Sequence, residues 1–374
     1  MGADSLWEPY TPVRTPPAGS TPSRRSTPRP PTTPPSTPPP PTPPPDLDEP
    51  RAKWYRRPLA VAALALLLIV AGGCTAAYVA SERLGDNVAR VETFGGLDEA
   101  TRPPVTATLN VLLVGTDSRS EATPPGVAAD GSGSPADVVM VAHVAADMKS
   151  ATVVSIPRDS LVDIPDHGRG RVSQAYATGG PRLLVRTIER LTNLRMNHFA
   201  VIDFAGFRSM VDTLGGIDVD VTAPLAGFDR GVNHMDGGRA LLYVRDDTGW
   251  TTGERARRQQ NALRSIMDKA VSSNVLTDPV RFYDFLDAVS RFMSVDETLS
   301  NGEMRVVALQ LSGLRPENVL FLRAPVGALI QDRGAPTVQL DAARSAALWS
   351  AVAQGTAEVY VQQNGRDALG PVTR

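Results

Sequence analysis

A run of 22 residues without a charge, 59 to 80, most limits what this chain can fold into. At 1.5 Å per residue a helix of that length spans about 33 Å, enough for the hydrocarbon core of a bilayer. Arg51, Lys53, Arg56 and Arg57 precede the run; Glu82, Arg83 and Asp86 follow it. The excess of basic residues on one side places the N-terminus in the cytoplasm and everything after residue 80 outside. The run starts too deep in the chain for a cleaved leader. Ala71-Gly72-Gly73-Cys74 has a faint likeness to a lipoprotein acylation site, but at this depth it reads as a cysteine inside a membrane helix. Ahead of the run, residues 1 to 50 hold 18 of the 33 prolines, mixed with Thr, Ser and Arg. Such a stretch buries too little apolar area to offset chain entropy, so it is expected to be disordered or polyproline II.

The part after residue 80 has 294 residues, ample for a core, and no cysteine, so no disulfide supports it. It carries 30 Lys and Arg against 35 Asp and Glu. A negative balance argues against nucleic acid as a partner, and no helix-turn-helix or basic patch is evident, which argues against a transcription regulator. Because 35 of the 38 basic residues are Arg, no single arginine is a signal by itself.

Val111 to Val114 and Val153 to Ile156 are short β-branched runs closed by Gly or Pro, as buried strands are. Each ends in an Asp/Arg pair: Asp117 with Arg119, and Arg158 with Asp159. Ala240 to Val244 likewise ends in Arg245. Charges just past buried strands arrive at one sheet edge, where α/β proteins bind ligands. Carboxylates mixed with arginines there suit a metal-bound phosphate. Residues 137–144 and 152–156 flank a turn and predict a hairpin. Pro181 opens a helix with Leu184, Ile188 and Leu191 on one face. Strands at 198–204 and 217–221 enclose a helix ended by Gly215-Gly216. Helices follow at 236–245, 254–271 and after Pro279, then a strand at 318–323 and a helix at 340–353. Alternating strands and helices predict an α/β fold, a three-layer α-β-α sandwich around a mixed sheet.

Seven segments in order carry a resemblance. They are VLLVGTDSR (111–119), PADVVMVAHV (135–144), VSIPRDSLVDIP (154–165) and RVSQAYATGG (171–180). Then come DFAGFRSMVDTLGGIDVDV (203–221), MDGGRALLYVR (235–245) and RARRQQ (255–260). Over roughly residues 105 to 325, behind a single N-terminal membrane helix, the chain resembles the LytR-CpsA-Psr (LCP) family. That resemblance implies an α/β sandwich with an apolar groove for polyprenyl phosphates. It implies transfer of a glycopolymer from a polyprenyl pyrophosphate carrier to peptidoglycan, with Mg²⁺ (or Mn²⁺) as cofactor.

By the same resemblance Asp117 and Asp137 are the metal ligands, both hard oxygen donors. Arg119, Arg158, Arg245, Arg255 and Gln259 match the catalytic cradle for the pyrophosphate. Asp159, Arg171 and Arg258 are expected to bind substrate, with Asp159 also able simply to orient Arg158. None of the four histidines falls in a catalytic motif, and His143 is expected in the core or on the sheet surface.

The likeness has gaps. Pro135 stands where the family has Arg, Arg171 where Lys is common, and Asp247 where a second Arg normally follows Arg245. Thr252 replaces an acidic residue three before Arg255, Glu254 being out of register. The gaps leave two readings, an active ligase and an LCP-like protein that binds lipid or wall polymer without transferring it. The expected organisation is a tail (1–57), a membrane helix (58–80), a juxtamembrane stalk (81–104), an extracytoplasmic domain (105–355) and a C-terminal tail (356–374). The lipid groove is expected beside helices 181–192 and 262–289, leading to Asp117 and Arg158.

Overall fold

A computed structural model describes residues 87–117, 135–248, 253–273, 275, 279–311 and 313–368. The proline-rich tail, the apolar run 59–80 and Arg119 lie outside the described residues. Among the described residues no helix is long and apolar enough to cross a membrane.

The strands are β1 (Ala89–Val91), β2 (Leu109–Thr116), β3 (Ala136–Val144), β4 (Ala151–Ser155), β5 (Leu161–Ile164) and β6 (Gly168–Arg171). Helix α1 (Val172–Thr192), β7 (His198–Asp203), α2 (Phe204–Thr213), β8 (Ile217–Val221), β9 (Gly231–Met235) and α3 (Gly237–Arg245) follow. The rest are α4 (Glu254–Ser272), α5 (Pro279–Ser290), β10 (Met293–Asp296), α6 (Asn301–Leu311), β11 (Val319–Arg323), β12 (Val326–Asp332), β13 (Ala335–Leu340), α7 (Ala342–Ala353) and α8 (Ala357–Gln363). Seven strands form one mixed sheet in the order β1-β10-β7-β2-β3-β4-β11. β7 runs parallel to β2, β3 antiparallel to β2 and β4, and β11 parallel to β4.

Strand alternation builds the two faces. Leu112, Val114, Val139, Val141 and Val154 pack with α1, α7 and α8. Leu113, Met140, Val144, Val153 and Phe321 point the other way, toward Leu263 and Met267 of α4 and Val307 and Leu311 of α6. Helices therefore cover both faces. A satellite core joins α2, α3 and α4 to the β8–β9 ribbon through Val211, Ile217, Met235, Ala240 and Ile266.

Helix α1 breaks where its sequence requires. Gly180 has φ 61° and ψ −154°, a conformation open almost only to glycine. Pro181 then restarts the helix, since its missing N–H is one a first turn would leave unpaired. The arm before the break, residues 172–178, follows β6 directly; the sequence signalled only the second arm.

Both flanks of the expected 105–355 domain prove to be built into it. Within the expected stalk, β1 pairs in parallel with β10. Glu297 accepts from the backbone N–H groups of Thr93, Phe94 and Gly95 at 2.8, 2.9 and 2.6 Å. Arg102 reaches Glu189 of α1 at 2.8 Å, with both side chains under a tenth exposed. At the other end α8 buries Ala357 and Tyr360 in the main core. β1 has no apolar period of its own, because it borrows its pairing partner, β10, from far along the chain.

The α1 face expected to line a lipid groove is core: Leu184 and Ile188 have no exposure. His143 is buried, its Nδ1 sharing a hydrogen bond with Asn110 Oδ1 at 2.7 Å.

Candidate functional site

Sheet register gathers the charged residues at one edge. Asp117 follows the last residue of β2. β3 starts beside that end, and β4, antiparallel to β3, finishes there: Ser155 lies opposite Met140, and Ile156 N–H donates to Val139 O at 2.9 Å. The next residues, Pro157 and Arg158, thus come level with Asp137. The pairing steps from Gly115–Val138 to Thr116–Ala136, which leaves Asp137 as the extra residue of a β-bulge. Bulges re-aim a side chain at a sheet edge, and here the re-aimed group is a carboxylate.

The loop after β4 is clamped from two sides. Ser173 N–H of α1 donates to Arg158 O at 3.0 Å, and Val338 N–H of β13 donates to Asp159 O at 2.9 Å. Gly253, with φ +82°, turns the chain into α4. The first two turns of α4 then present Arg255 and Gln259 on one face, four residues apart.

These pieces enclose a cavity of about 300 Å³. Of the expected site residues, Asp137, Arg158, Asp159, Arg171, Arg255 and Gln259 line it. Asp137 pairs with Arg158 and, at 3.4 Å, with Arg255. Asp159 meets Arg158 at 3.4 Å and Arg171 at 3.7 Å. Asp159 thus pairs with two arginines and also lines the cavity. Asp117 pairs with Arg245 at 3.0 Å, and Arg245 also lies over the Phe204 ring, 4.6 Å from its centroid. Neither of these two lines the cavity.

Arg258 faces elsewhere. Its Nη2 donates to the backbone carbonyls of Asp246 and Thr248 at 2.5 and 2.8 Å, so it holds the loop after α3 rather than lining the cavity. Gln174 accepts from Arg171 N–H at 2.9 Å and caps α1.

The arginines of the cavity are held against its carboxylates. Burial opposes the charge on Arg158, yet Asp159, Asp137 and Asp247 outweigh it and hold the guanidinium above its ordinary pKa. Arg255 goes the other way: burial first, then repulsion from Arg158, push it below the ordinary arginine value against the pull of Asp247 and Asp137. Arg255 Nε is buried with no hydrogen-bond partner. A buried donor without an acceptor costs about 1–3 kcal/mol. The N-terminal end of α4, the positive end of its dipole, lies at this cavity.

Asp117 and Asp137 fit a hard divalent cation. Both are carboxylates carried to the same edge by neighbouring strands. No group of three or more metal-ligating side chains exists among the described residues. Two carboxylates leave coordination positions for phosphate oxygens and water, the usual way Mg²⁺ is held.

On the α4 face of the sheet lies a second cavity of about 240 Å³, apolar and lined by Leu113, Met140, Phe207, Leu263, Ile266 and Val289. Gln259 lines both cavities. This apolar cavity lies beside 262–289, where a groove was expected, with α2 rather than 181–192 as its other wall and with neither Asp117 nor Arg158 in its lining.

Sequence reasoning missed the hairpin β12–β13, whose Val326, Pro336 and Val338 form one wall of the polar cavity. Its signal was there: Arg333 and Gly334, with φ 51° and 79°, form a turn of the kind that joins alternating strands. Ser155 and Phe204 were also missed. Neither carries a charge that would mark it in sequence.

The LytR_cpsA_psr family model matches residues 80–353. The chain belongs to that family. Among LCP relatives, the probable cell wall biosynthesis protein LcpB of Corynebacterium glutamicum is 35% identical over 52% of this chain and 50% of its own length. Cell wall biosynthesis protein LcpA of the same organism is 30% identical over 62% of this chain and 53% of its own. The chain thus spans about half the length of these curated relatives. The polyisoprenyl-teichoic acid–peptidoglycan teichoic acid transferase TagT of Bacillus subtilis is 27% identical over 67% of this chain and 79% of its own. Among solved LCP-like structures, B. subtilis TagV superposes with a TM-score of 0.54 at 20% identity, covering 67% of this chain and 97% of that one. Protein gbs0355 of Streptococcus agalactiae gives 0.56 at 21% identity, covering 67% and 88%. The mixed α/β fold is the LCP fold.

Proposed function

We propose that this chain is a membrane-anchored phosphotransferase that moves a glycopolymer from a polyprenyl pyrophosphate carrier onto peptidoglycan in cell-wall assembly. One observation carries the reading: a cavity of arginines and carboxylates and an apolar cavity meet at Gln259. An amphiphile with a phosphate head and a hydrocarbon tail matches that pair. Transfer is also what the relatives named as teichoic acid transferases do. The uncharged run 59–80 with its basic N-terminal flank supports a single-pass anchor, cytoplasmic N-terminus and extracytoplasmic domain.

In the reaction a peptidoglycan sugar hydroxyl attacks the phosphorus that bears the glycan, and the bond from that phosphorus to polyprenyl phosphate breaks. Charge builds on the bridging and equatorial oxygens. Arg158, Arg255 and Arg171 are placed to take those oxygens, and their fixed positions avoid reorganisation at the moment of reaction. Gln259 orients the junction between head and tail. Asp117 and Asp137 would hold Mg²⁺ (or Mn²⁺), which supplies charge neutralisation for the pyrophosphate.

The pairing of Asp247 with Arg255 favours a second reading, a protein that binds the lipid-linked polymer without transferring it. Incubating the full-length chain with a synthetic polyprenyl pyrophosphate-linked disaccharide and a peptidoglycan oligomer separates the two. Repeated turnover supports transfer, and saturable binding without product supports the second reading. Absence of both turnover and binding refutes each. Reporter fusions at residues 40 and 374 should give opposite sidedness; a cytoplasmic C-terminus would refute the extracytoplasmic assignment.

A further inference from the structure

The charged groups at this edge balance. Among the described residues, Asp117, Asp137, Asp159 and Asp247 face Arg158, Arg171, Arg245 and Arg255, and each of these guanidiniums has a carboxylate partner. Asp247 completes the balance, and the family resemblance places an Arg at its position. Its side chain is 62% exposed and its Oδ1 accepts from Arg255 Nη1.

We propose that Asp247 makes the site's hold on a phosphate-bearing ligand conditional on a divalent cation, so that cation and diphosphate bind together and weakly apart. The inference rests on the transferase reading and sharpens it. A diphosphate arriving alone must part four arginines from four carboxylates and then lie against those carboxylates. A divalent cation arriving alone strips carboxylates from part-buried arginines and leaves guanidiniums facing each other, as Arg158 and Arg255 already do across Asp137. Arriving together, they offer each carboxylate a cation and each arginine a phosphate oxygen. Without the Asp247 charge the site is net positive, and Arg255 keeps only its 3.4 Å contact with Asp137. An anion could then enter alone. Asp247 on this account is a specificity-determining residue that replaces attraction for free phosphates with selection for the metal complex.

The test uses the full-length chain in detergent, with inorganic pyrophosphate as the probe, at fixed ionic strength, with Mg²⁺ or with EDTA, read by calorimetry. The wild-type chain should bind at least a hundredfold more weakly in EDTA. A unit charge roughly 6 Å away at an effective dielectric of about 40 changes affinity about tenfold. Asp247→Asn should therefore bind pyrophosphate about tenfold more tightly in EDTA and shrink the Mg²⁺ ratio by that factor. Asp247→Glu, which keeps the charge, should hold the wild-type ratio. Equal ratios for wild type and Asp247→Asn overturn the proposal and leave the transferase reading standing, as does a wild-type chain that binds equally well with and without Mg²⁺. A wild-type chain that binds pyrophosphate in neither condition overturns both.

Discussion

Replacing Glu189 with alanine should be among the most damaging single changes in this domain. Both oxygens of Glu189 receive Arg102 Nε at 3.2 Å; Oε1 also receives Arg102 Nη2 at 2.8 Å and the Met196 backbone N–H at 2.9 Å. The two side chains are 5% and 7% exposed. In Glu189→Ala the guanidinium stays buried with the Met196 carbonyl and the exposed Glu99 as its remaining partners. Removing one partner of a buried pair costs about 3–5 kcal/mol, because the other charge is left uncompensated. At about 2–4 °C per kcal/mol for domains approaching this size, the melting temperature should fall by about 6–20 °C. Calorimetry on the wild type, Glu189→Ala, Arg102→Ala and the double variant measures both the loss and the coupling. The double variant should be no worse than the more damaging single one. A loss under about 1 kcal/mol for Glu189→Ala, or strictly additive losses, would refute the claim that this pair fastens the N-terminal segment to α1.

Other consequences can be checked separately. Asp137→Ala and Asp117→Ala should each lose Mg²⁺-dependent pyrophosphate binding by a factor of about 10 or more, since water replaces a charged oxygen ligand poorly; unchanged Mg²⁺ dependence in either would remove that residue from the metal site. Leu263→Trp should fill the apolar cavity, weakening a geranylgeranyl pyrophosphate probe about tenfold while inorganic pyrophosphate binds as before, and equal loss of both probes would detach that cavity from lipid binding. Asp296 gives a pH dependence. Burial works to raise its pKa, but hydrogen bonds from His198, Thr298 and the Phe199 N–H outweigh burial and hold it below the ordinary carboxylate value. A depressed carboxyl contributes stability that is complete above its unfolded pKa and is lost as pH falls through the folded one. Asp296→Asn should therefore be less stable at neutral pH and show a shallower acid limb in denaturant titrations; an unaltered acid limb would assign the acid sensitivity elsewhere.

Where the sequence carried local signals, the fold was legible. β2, β3 and β4 are β-branched runs that sit in the middle of the sheet. α2 and α3 begin at Asp203 and Asp236, which cap them with side-chain hydrogen bonds of 2.7 Å, and α2 ends just before Gly215 and Gly216. β1 and β10 were silent because three or four residues give no period, and their pairing spans some 200 positions of chain. At the site, the charged pair after a buried strand marked Arg158, while Asp137 and Arg255 were marked by the family resemblance; the three line one cavity. Arg258 misled because two arginines in consecutive turns look alike in sequence, while only the folded loop shows which one is tied to backbone carbonyls. Asp247 read only as a departure from the family pattern. In the folded chain it is an ion-pair partner.

The extra residue in β3 has a mechanical meaning. An ordinary antiparallel strand is a rigid code: moving it by one position would turn Val139 and Val141 out of the core and the opposite face in. Because the irregularity lies between Thr116 and Val138, the strand behind it keeps its register whatever happens ahead of it. The stretch that carries Asp137 is thus re-aimed without turning the residues behind it, with Ala136 ahead of it still seated in the core. The charged rim and the hydrophobic interior are joined at a single irregular link.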